Sequence, residues 1–253
     1  MSAIHVEIFG QGQPLIMLHG WAMHSRVWED FARLLSAHFQ VILVDLPGHG
    51  LSAAIEPFEL EAVVDALLPI FPEERVMLLG WSLGATVALA MAQRVPGRIK
   101  HLMMLAGNPQ FIRTDDWPGV TAETLDAFAG MLKADVQQTL IRFLALQVNG
   151  LAHGKALLQR LKSAIQGCPA PSDAVLQAGL QVLKTTDLRD VVSRTVVPIT
   201  LILGDKDTLI PIDCGRAIQQ LNPQVSLQIL ESAGHAPFLS HPEQLLEVIL
   251  RRR

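Results

Sequence analysis

The sequence is poor in the residues that mark disulfide-rich or metal-binding proteins. Two cysteines, Cys168 and Cys214, occur in 253 residues, and they form no C-x-x-C pair. No H-E-x-x-H motif and no Cys/His cluster predicts a metal site. The stretch "GQGQPL" lacks the third glycine of a dinucleotide fingerprint, and no P-loop is present. We therefore expect no metal and no cofactor, and we interpret the cysteines as reduced thiols.

Charge and long apolar runs are also scarce. Charged residues make up 17% of the chain, with a net charge of -4, so a general attraction to nucleic acid is not expected. No stretch approaches the ~20 apolar residues that span a bilayer, and the first residues do not resemble a signal peptide. We expect a cytoplasmic monomer with neither nucleic acid nor membrane as a partner.

What the sequence does contain is a regular alternation of short apolar runs and helical patterns. Runs such as "PLIML", "QVILV", "VMLLG" and "HLMML" are rich in branched residues and suit strands buried on both faces of a parallel sheet. From residue 109 to 187 only helical patterns occur, and buried strands then return. The chain therefore predicts an α/β core over 1–108 and 188–253, with a helical cap over 109–187.

The stretch "VMLLGWSLGATVALAMA" places Ser82 between two glycines, at the turn from a predicted strand to a predicted helix. Gly-x-Ser-x-Gly alone is a weak pattern, but in this setting the tight turn exposes the serine hydroxyl. The amino terminus of the following helix favours negative charge that develops nearby. We interpret Ser82 as a nucleophile rather than a small loop residue.

A serine nucleophile needs a base, and the base needs a carboxylate that orients it. His235 follows the last predicted strand in "ESAGHAPF", and "LILGDKD" offers Asp205 and Asp207 after the preceding strand. The order Ser, Asp, His along the chain is the one expected of this arrangement. We predict Ser82, Asp207 and His235 as the catalytic residues and keep Asp205 as the alternative acid.

The oxyanion of a tetrahedral intermediate needs hydrogen-bond donors. The backbone N–H of Leu83 directly follows the nucleophile, and the "HGW" turn after an early strand offers the backbone N–H of Trp21. Trp21 has a second interpretation as a packing aromatic, and its indole can serve both roles. These two residues are the predicted oxyanion hole.

The motifs "HGW", "VDLPGHGLS", "GWSLGATVA", "GDKD" and "GHAPFLSHP" together resemble the α/β-hydrolase superfamily over the whole chain. Stretches in the helical region, such as "DDWPGV" and "RFLALQ", are similar to a narrower family. That family consists of the esterases of biotin synthesis that hydrolyse the methyl ester of a pimeloyl chain on acyl carrier protein.

The narrower resemblance implies the same catalytic triad and an acyl-chain contact through the "FLALQ" run. The residues of this run are Phe143, Leu144, Ala145, Leu146 and Gln147. Periodicity alone favours a different interpretation of the run, as the core face of a helix. The resemblance also implies acyl carrier protein as a partner.

The charge of the helical region is consistent with that partner. Residues 136–168 contain no Asp or Glu but hold four basic residues, namely Arg142, Lys155, Arg160 and Lys162. Because acyl carrier proteins are strongly acidic, this basic stretch is a candidate docking surface, although an ordinary solvated helix face is the alternative. A short-chain carboxylesterase, a C–C bond hydrolase and a non-catalytic receptor of the same fold remain alternative functions.

Overall fold

The computed structural model describes residues 3–253, and a seven-stranded sheet forms its centre. The strands are β1 (Val6–Phe9), β2 (Pro14–Leu18), β3 (Gln40–Val44), β4 (Val76–Trp81), β5 (Ile99–Leu105), β6 (Ile199–Gly204) and β7 (Ser226–Leu230). Every residue of β2, β4 and β6 is buried, as expected for apolar runs covered on both faces.

The order of strands across the sheet is β1-β3-β2-β4-β5-β6-β7. All neighbouring pairs are parallel except β1 with β3, which is antiparallel. β1 is not among the predicted strands, because "VEIF" is short and carries a charge. β7 is predicted as a buried strand, whereas it lies at the edge of the sheet and only Leu230 in it is buried.

Helices cover the sheet and fill the segment between β5 and β6. The helices are α1 (Glu29–Leu35), α2 (Leu60–Leu67), α3 (Leu83–Arg94), α4 (Ala122–Ala134), α5 (Val136–Gln147), α6 (Gly154–Ile165), α7 (Asp173–Thr185), α8 (Arg189–Arg194), α9 (Ile212–Leu221), α10 (Pro237–Ser240) and α11 (Pro242–Leu250). Asp135 separates α4 from α5, since its side chain accepts a hydrogen bond from the Gln138 N–H and caps α5.

The inserted helices α4–α7 contact the core close to the carboxyl ends of the strands. The Trp21 indole N–H donates to the Leu176 carbonyl of α7 at 2.9 Å. The two ends of the insert lie together, because the Leu188 N–H donates to the Pro109 carbonyl at 2.9 Å. The division into a core and a separate cap stays a prediction. Within residues 3–253, no helix is both long and apolar enough to cross a membrane.

Candidate active site

Ser82 occupies a strained turn between β4 and α3. Its backbone has φ 55° and ψ -118°, a region that residues with a side chain rarely adopt. The residue is 7% exposed, and it stands at the amino terminus of the twelve-residue helix α3. The structure therefore places Ser82 at a sharp strand-to-helix turn, as the sequence predicted.

Two flanking glycines make this turn possible. A Cβ atom on Gly80 would overlap the backbone of Gly84, and a Cβ on Gly84 would overlap the Leu18 carbonyl of β2. The start of α3 consequently lies directly against the end of the neighbouring strand. No larger residue fits at either position without moving the backbone.

Asp207 and His235 form a buried pair at the ends of β6 and β7. The His235 Nδ1 atom lies 2.8 Å from Asp207 Oδ2, and the two side chains are 1% and 0% exposed. The other carboxylate oxygen, Oδ1, accepts hydrogen bonds from the backbone N–H groups of Leu209 at 2.8 Å and Ile210 at 3.0 Å. The carboxylate is thus fully oriented by the loop after β6.

Asp205, the alternative acid, lies elsewhere. It is exposed, and its Oδ2 atom is 3.8 Å from the Lys206 ammonium. The His235 Nε2 atom faces away from the carboxylate. It is buried and has no hydrogen-bond partner among the described residues, and it forms no hydrogen bond with Ser82. This nitrogen is therefore free to accept a proton from an incoming group.

The predicted oxyanion donors lie on the two segments that flank Ser82. A Cβ built on Gly20 would lie 3.3 Å from the Ser82 Cβ, so the Gly20–Trp21 turn is against the serine. Neither the Trp21 N–H nor the Leu83 N–H has an acceptor within residues 3–253. Two free backbone donors beside a serine are the requirement for an oxyanion hole.

A buried histidine, not considered from the sequence, anchors this turn. The Leu46 N–H donates to His19 Nε2 at 3.0 Å, so Nδ1 carries the proton and donates to the Gly20 carbonyl at 2.8 Å. Burial, followed by the nearby His49, lowers the pKa of His19 to about 3. Burial likewise lowers the pKa of His49 to about 4. Both imidazoles are therefore neutral structural groups near pH 7.

The "FLALQ" run ends helix α5 and divides into two kinds of position. Leu144 and Gln147 are buried, while Phe143, Ala145 and Leu146 are half-buried. The Phe143 ring packs edge-on against Trp21, with 4.8 Å between ring centroids. The Gln147 amide is buried without a hydrogen-bond partner in the described chain. Part of the run is thus helix core, and Phe143 lies against the predicted oxyanion loop.

The four basic residues of the insert differ in their partners. Arg160 donates to Asp30 Oδ2 and to the Leu239 carbonyl, each at 2.9 Å, and so connects α6 to the core. Arg142 is exposed and contacts Met131 and Gln138. Across residues 3–253, no carboxylate pairs with Arg142, Lys155 or Lys162. Three of the four predicted docking residues therefore keep an uncompensated charge.

No group of three or more His, Cys, Asp or Glu side chains in the described part of the chain is arranged to hold a metal ion. The site instead combines a strained serine, a buried Asp–His pair and free backbone donors at the carboxyl edge of a mostly parallel sheet. These features define a serine hydrolase with the α/β-hydrolase architecture.

Comparison with known proteins agrees with this class. A family model described as the alpha/beta hydrolase fold matches residues 13–242, and the chain belongs to this α/β-hydrolase family. Among solved structures, an esterase from Exiguobacterium antarcticum superimposes with a TM-score of 0.90 at 25% sequence identity, covering 99% of this chain and 95% of that one.

Full-length relatives narrow the similarity further. The chain is 41% identical over 247 residues to the pimeloyl-[acyl-carrier protein] methyl ester esterase of Nitrosomonas europaea, covering 97% of this chain and 98% of the relative. It is 37% identical over 246 residues to the enzyme of the same name from Methylococcus capsulatus, covering 97% and 96% of the two chains. The similarity thus includes the inserted helices as well as the core.

Proposed function

We propose that this protein is a pimeloyl-[acyl-carrier protein] methyl ester esterase. It hydrolyses the methyl ester at the end of the carried chain to a carboxylate and methanol. The observation that carries the proposal is similarity to esterases of this name across the whole chain, insert included. The strained serine and the buried Asp–His pair supply the chemistry that such an enzyme requires.

The proposed mechanism uses Ser82, His235 and Asp207 in two steps. His235 Nε2 accepts the Ser82 proton as the hydroxyl oxygen attacks the ester carbonyl carbon. The tetrahedral intermediate then collapses, and His235 returns the proton to the departing methoxide, which leaves as methanol. Water, deprotonated by the same nitrogen, then attacks the acyl-enzyme. As this second intermediate collapses, His235 returns the proton to the Ser82 oxygen and the acid is released.

Asp207 keeps His235 in the tautomer that this mechanism needs. Its Oδ2 atom accepts the Nδ1 proton at 2.8 Å, which leaves Nε2 unprotonated and ready to act as a base. The backbone N–H groups of Trp21 and Leu83 hold the oxyanion in each tetrahedral intermediate. Because these donors are already oriented by the turn, they need no rearrangement during the reaction.

The carboxyl-terminal half of α5 is the proposed wall for the acyl chain. Phe143 contacts the Trp21 ring, which places an apolar side chain beside the oxyanion loop. Burial of Leu144 and Gln147 anchors the helix beneath it. An extended hydrocarbon chain gains about 0.8 kcal/mol for each methylene that such an apolar surface removes from water.

Arg142, Lys155 and Lys162 are the proposed contacts for the acidic carrier protein. Arg160 connects the insert to the core, since its guanidinium already donates to Asp30 and to the Leu239 carbonyl. We propose in addition that the protein acts in the cytoplasm as a monomer, as expected from the sequence.

The first experiment measures release of methanol from the carrier-bound methyl ester by the wild type and by Ser82→Ala. The variant should lose several orders of magnitude in kcat. The wild-type gene should also restore growth of a biotin-requiring strain that lacks this esterase, and the Ser82→Ala gene should not. The proposal is refuted if Ser82→Ala releases methanol at the wild-type rate, or if the Ser82→Ala gene restores growth of the strain.

A second experiment tests the docking surface. Arg142→Glu and Lys155→Glu should each raise KM for the carrier-bound ester and leave a small free ester unaffected. The control is Lys100→Glu, because Lys100 is an exposed residue at the start of β5. It lies at the amino-terminal ends of the parallel strands, whereas the site lies at their carboxyl ends. Added salt should raise KM for the carrier-bound ester and leave KM for the small free ester unchanged. An equal salt response for both esters contradicts the docking surface.

A short-chain carboxylesterase is the second candidate. The close superposition on the Exiguobacterium antarcticum esterase favours it, since both proteins share an architecture suited to ester cleavage. A kcat/KM for p-nitrophenyl butyrate that exceeds the value for the carrier-bound methyl ester would support this alternative.

A further inference from the structure

The backbone N–H and carbonyl of His235 each form a hydrogen bond that plays no part in the proposed mechanism. The Trp81 indole N–H donates to the His235 carbonyl at 2.7 Å. The His235 N–H donates to the Gln147 carbonyl at the end of α5, at 3.3 Å. The backbone of the histidine is therefore bound both to the residue before Ser82 and to the inserted helices.

Trp81 touches each part of the site. It is 1% exposed and immediately precedes Ser82 in the chain. A Cβ built on Gly20 would lie 3.2 Å from its ring, so the absence of a side chain at Gly20 lets the indole lie against the oxyanion loop. Its ring centroid is 5.8 Å from that of His235. One indole thus borders the nucleophile, the base and the oxyanion turn.

Aromatic neighbours fix the direction of the indole N–H. Phe238, three residues after His235, packs edge-on against Trp81 with 4.8 Å between ring centroids. Trp28 packs against both rings, 5.9 Å from Trp81 and 4.3 Å from Phe238. Because these contacts leave the indole little freedom to rotate, the N–H stays directed at the His235 carbonyl.

We propose that Trp81 is a positioning residue that holds His235 in line with Ser82 through this hydrogen bond. The proposal rests on the proposed role of His235 as the base. The bond between Nδ1 and Asp207 fixes one atom of the imidazole, so the ring can still swing about that atom. A second fixed point on the backbone removes this freedom and sets where Nε2 lies.

The need for a second fixed point follows from the environment of Nε2. That atom has no hydrogen bond within residues 3–253, so nothing on the far side of the ring holds it. A shift of about 1 Å in a reacting group can lower a rate by about 100-fold. Without the Trp81 bond, the buried His235 carbonyl would also lack this donor, and the loop would move to find another.

The test compares Trp81→Phe with Trp28→Phe. Both changes replace a buried indole by a phenyl ring in the same aromatic cluster. The Trp81 indole N–H donates to the His235 carbonyl, whereas the Trp28 indole nitrogen has no hydrogen-bond partner among the described residues. Trp81→Phe should lower kcat for p-nitrophenyl butyrate by about 10- to 100-fold with little change in KM. Trp28→Phe should leave kcat within about twofold of wild type, because a phenyl ring at position 28 still packs against Trp81 and Phe238 and no bond to His235 is lost.

A spectroscopic measurement separates positioning from a general loss of packing. The proton between His235 Nδ1 and Asp207 Oδ2, which are 2.8 Å apart, should give a downfield NMR resonance in the wild type. That resonance should broaden or move in Trp81→Phe and stay unchanged in Trp28→Phe. If Trp81→Phe does not fold, 3-benzothienylalanine at position 81 keeps the ring shape and replaces only the N–H by sulfur. It should lower kcat to the same extent, whereas the same residue at position 28 should not.

Equal kcat values for the two phenylalanine variants, or an unchanged resonance in the position 81 variants, overturn the proposal. The Ser82→Ala variant distinguishes this failure from failure of the proposed function. If Ser82→Ala is inactive and the Trp81 variants are not impaired, only the positioning role is wrong. If Ser82→Ala retains wild-type activity, the assigned mechanism fails first.

Discussion

Replacing Asp207 by asparagine should reverse the tautomer of His235 without altering the shape of the site. The reason lies in the two oxygens of the carboxylate. Oδ1 accepts from the Leu209 and Ile210 N–H groups, so the asparagine carbonyl oxygen must occupy that position. The amide NH₂ then faces His235 Nδ1 across the 2.8 Å contact.

An NH₂ group can only donate, so His235 Nδ1 must accept and the ring proton must move to Nε2. In that tautomer Nε2 cannot take the proton of Ser82. A comparable exchange in a serine protease lowers kcat by about 10⁴-fold, which corresponds to about 5.4 kcal/mol of transition-state stabilisation. We expect a loss of similar size for Asp207→Asn at pH 7.

The assay is steady-state hydrolysis of p-nitrophenyl butyrate, with urea unfolding as the check on folding. The matched control is Asp205→Asn, since Asp205 is exposed and lies beside Lys206. That variant should keep wild-type kcat. If Asp207→Asn folds normally and retains more than a tenth of the activity, or if Asp205→Asn loses as much, the assignment of the acid is wrong.

Two further predictions concern stability. Burial lowers the pKa of His49 from 6.5 to about 4, so between these two pH values the histidine is protonated in the unfolded chain but not in the folded one. The contribution of His49 to the free energy of unfolding is therefore full above pH 6.5 and is lost as the pH falls toward 4. His49→Asn keeps a donor for the Pro47 carbonyl, and it should reduce the dependence of the unfolding free energy on pH by about 1.4 kcal/mol per pH unit in this range. Urea unfolding at several pH values measures this dependence, and an unchanged dependence contradicts the prediction. Gly84→Ala should destabilise by about 3 kcal/mol, because the new Cβ meets the Leu18 carbonyl. Gly130→Ala, where nothing lies within 4 Å, should stabilise α4 by up to about 1 kcal/mol, and equal thermal shifts for the two variants would contradict the packing argument.

The parts of the fold that follow from local pattern could be predicted. Continuous apolar runs gave six of the seven strands, because residues buried on both faces need no polar alternation. The turn at Ser82 was also predictable, since a glycine on each side of a serine between a strand and a helix permits few other conformations. The order of Ser82, Asp207 and His235 along the chain followed from the order of the strands.

Other features depend on partners that are remote in the sequence. β1 carries a charge in four residues, and only pairing with β3 makes it a strand. Asp205 and Asp207 are two residues apart, and the loop after β6 decides which one reaches His235. Arg160 was grouped with its basic neighbours, yet the core places Asp30, 130 residues away, beside it.

The sequence by itself determined the class of fold and the basic character of the inserted helices, and it predicted Ser82 as the nucleophile, since these depend on residue type and short spacing. Only the tertiary structure decided how the base is held. The indole of Trp81 and the carbonyl of His235 are 154 residues apart, and no local pattern connects them. Such contacts exist because parallel strands bring their carboxyl ends to one edge of the sheet, where loops remote in sequence meet.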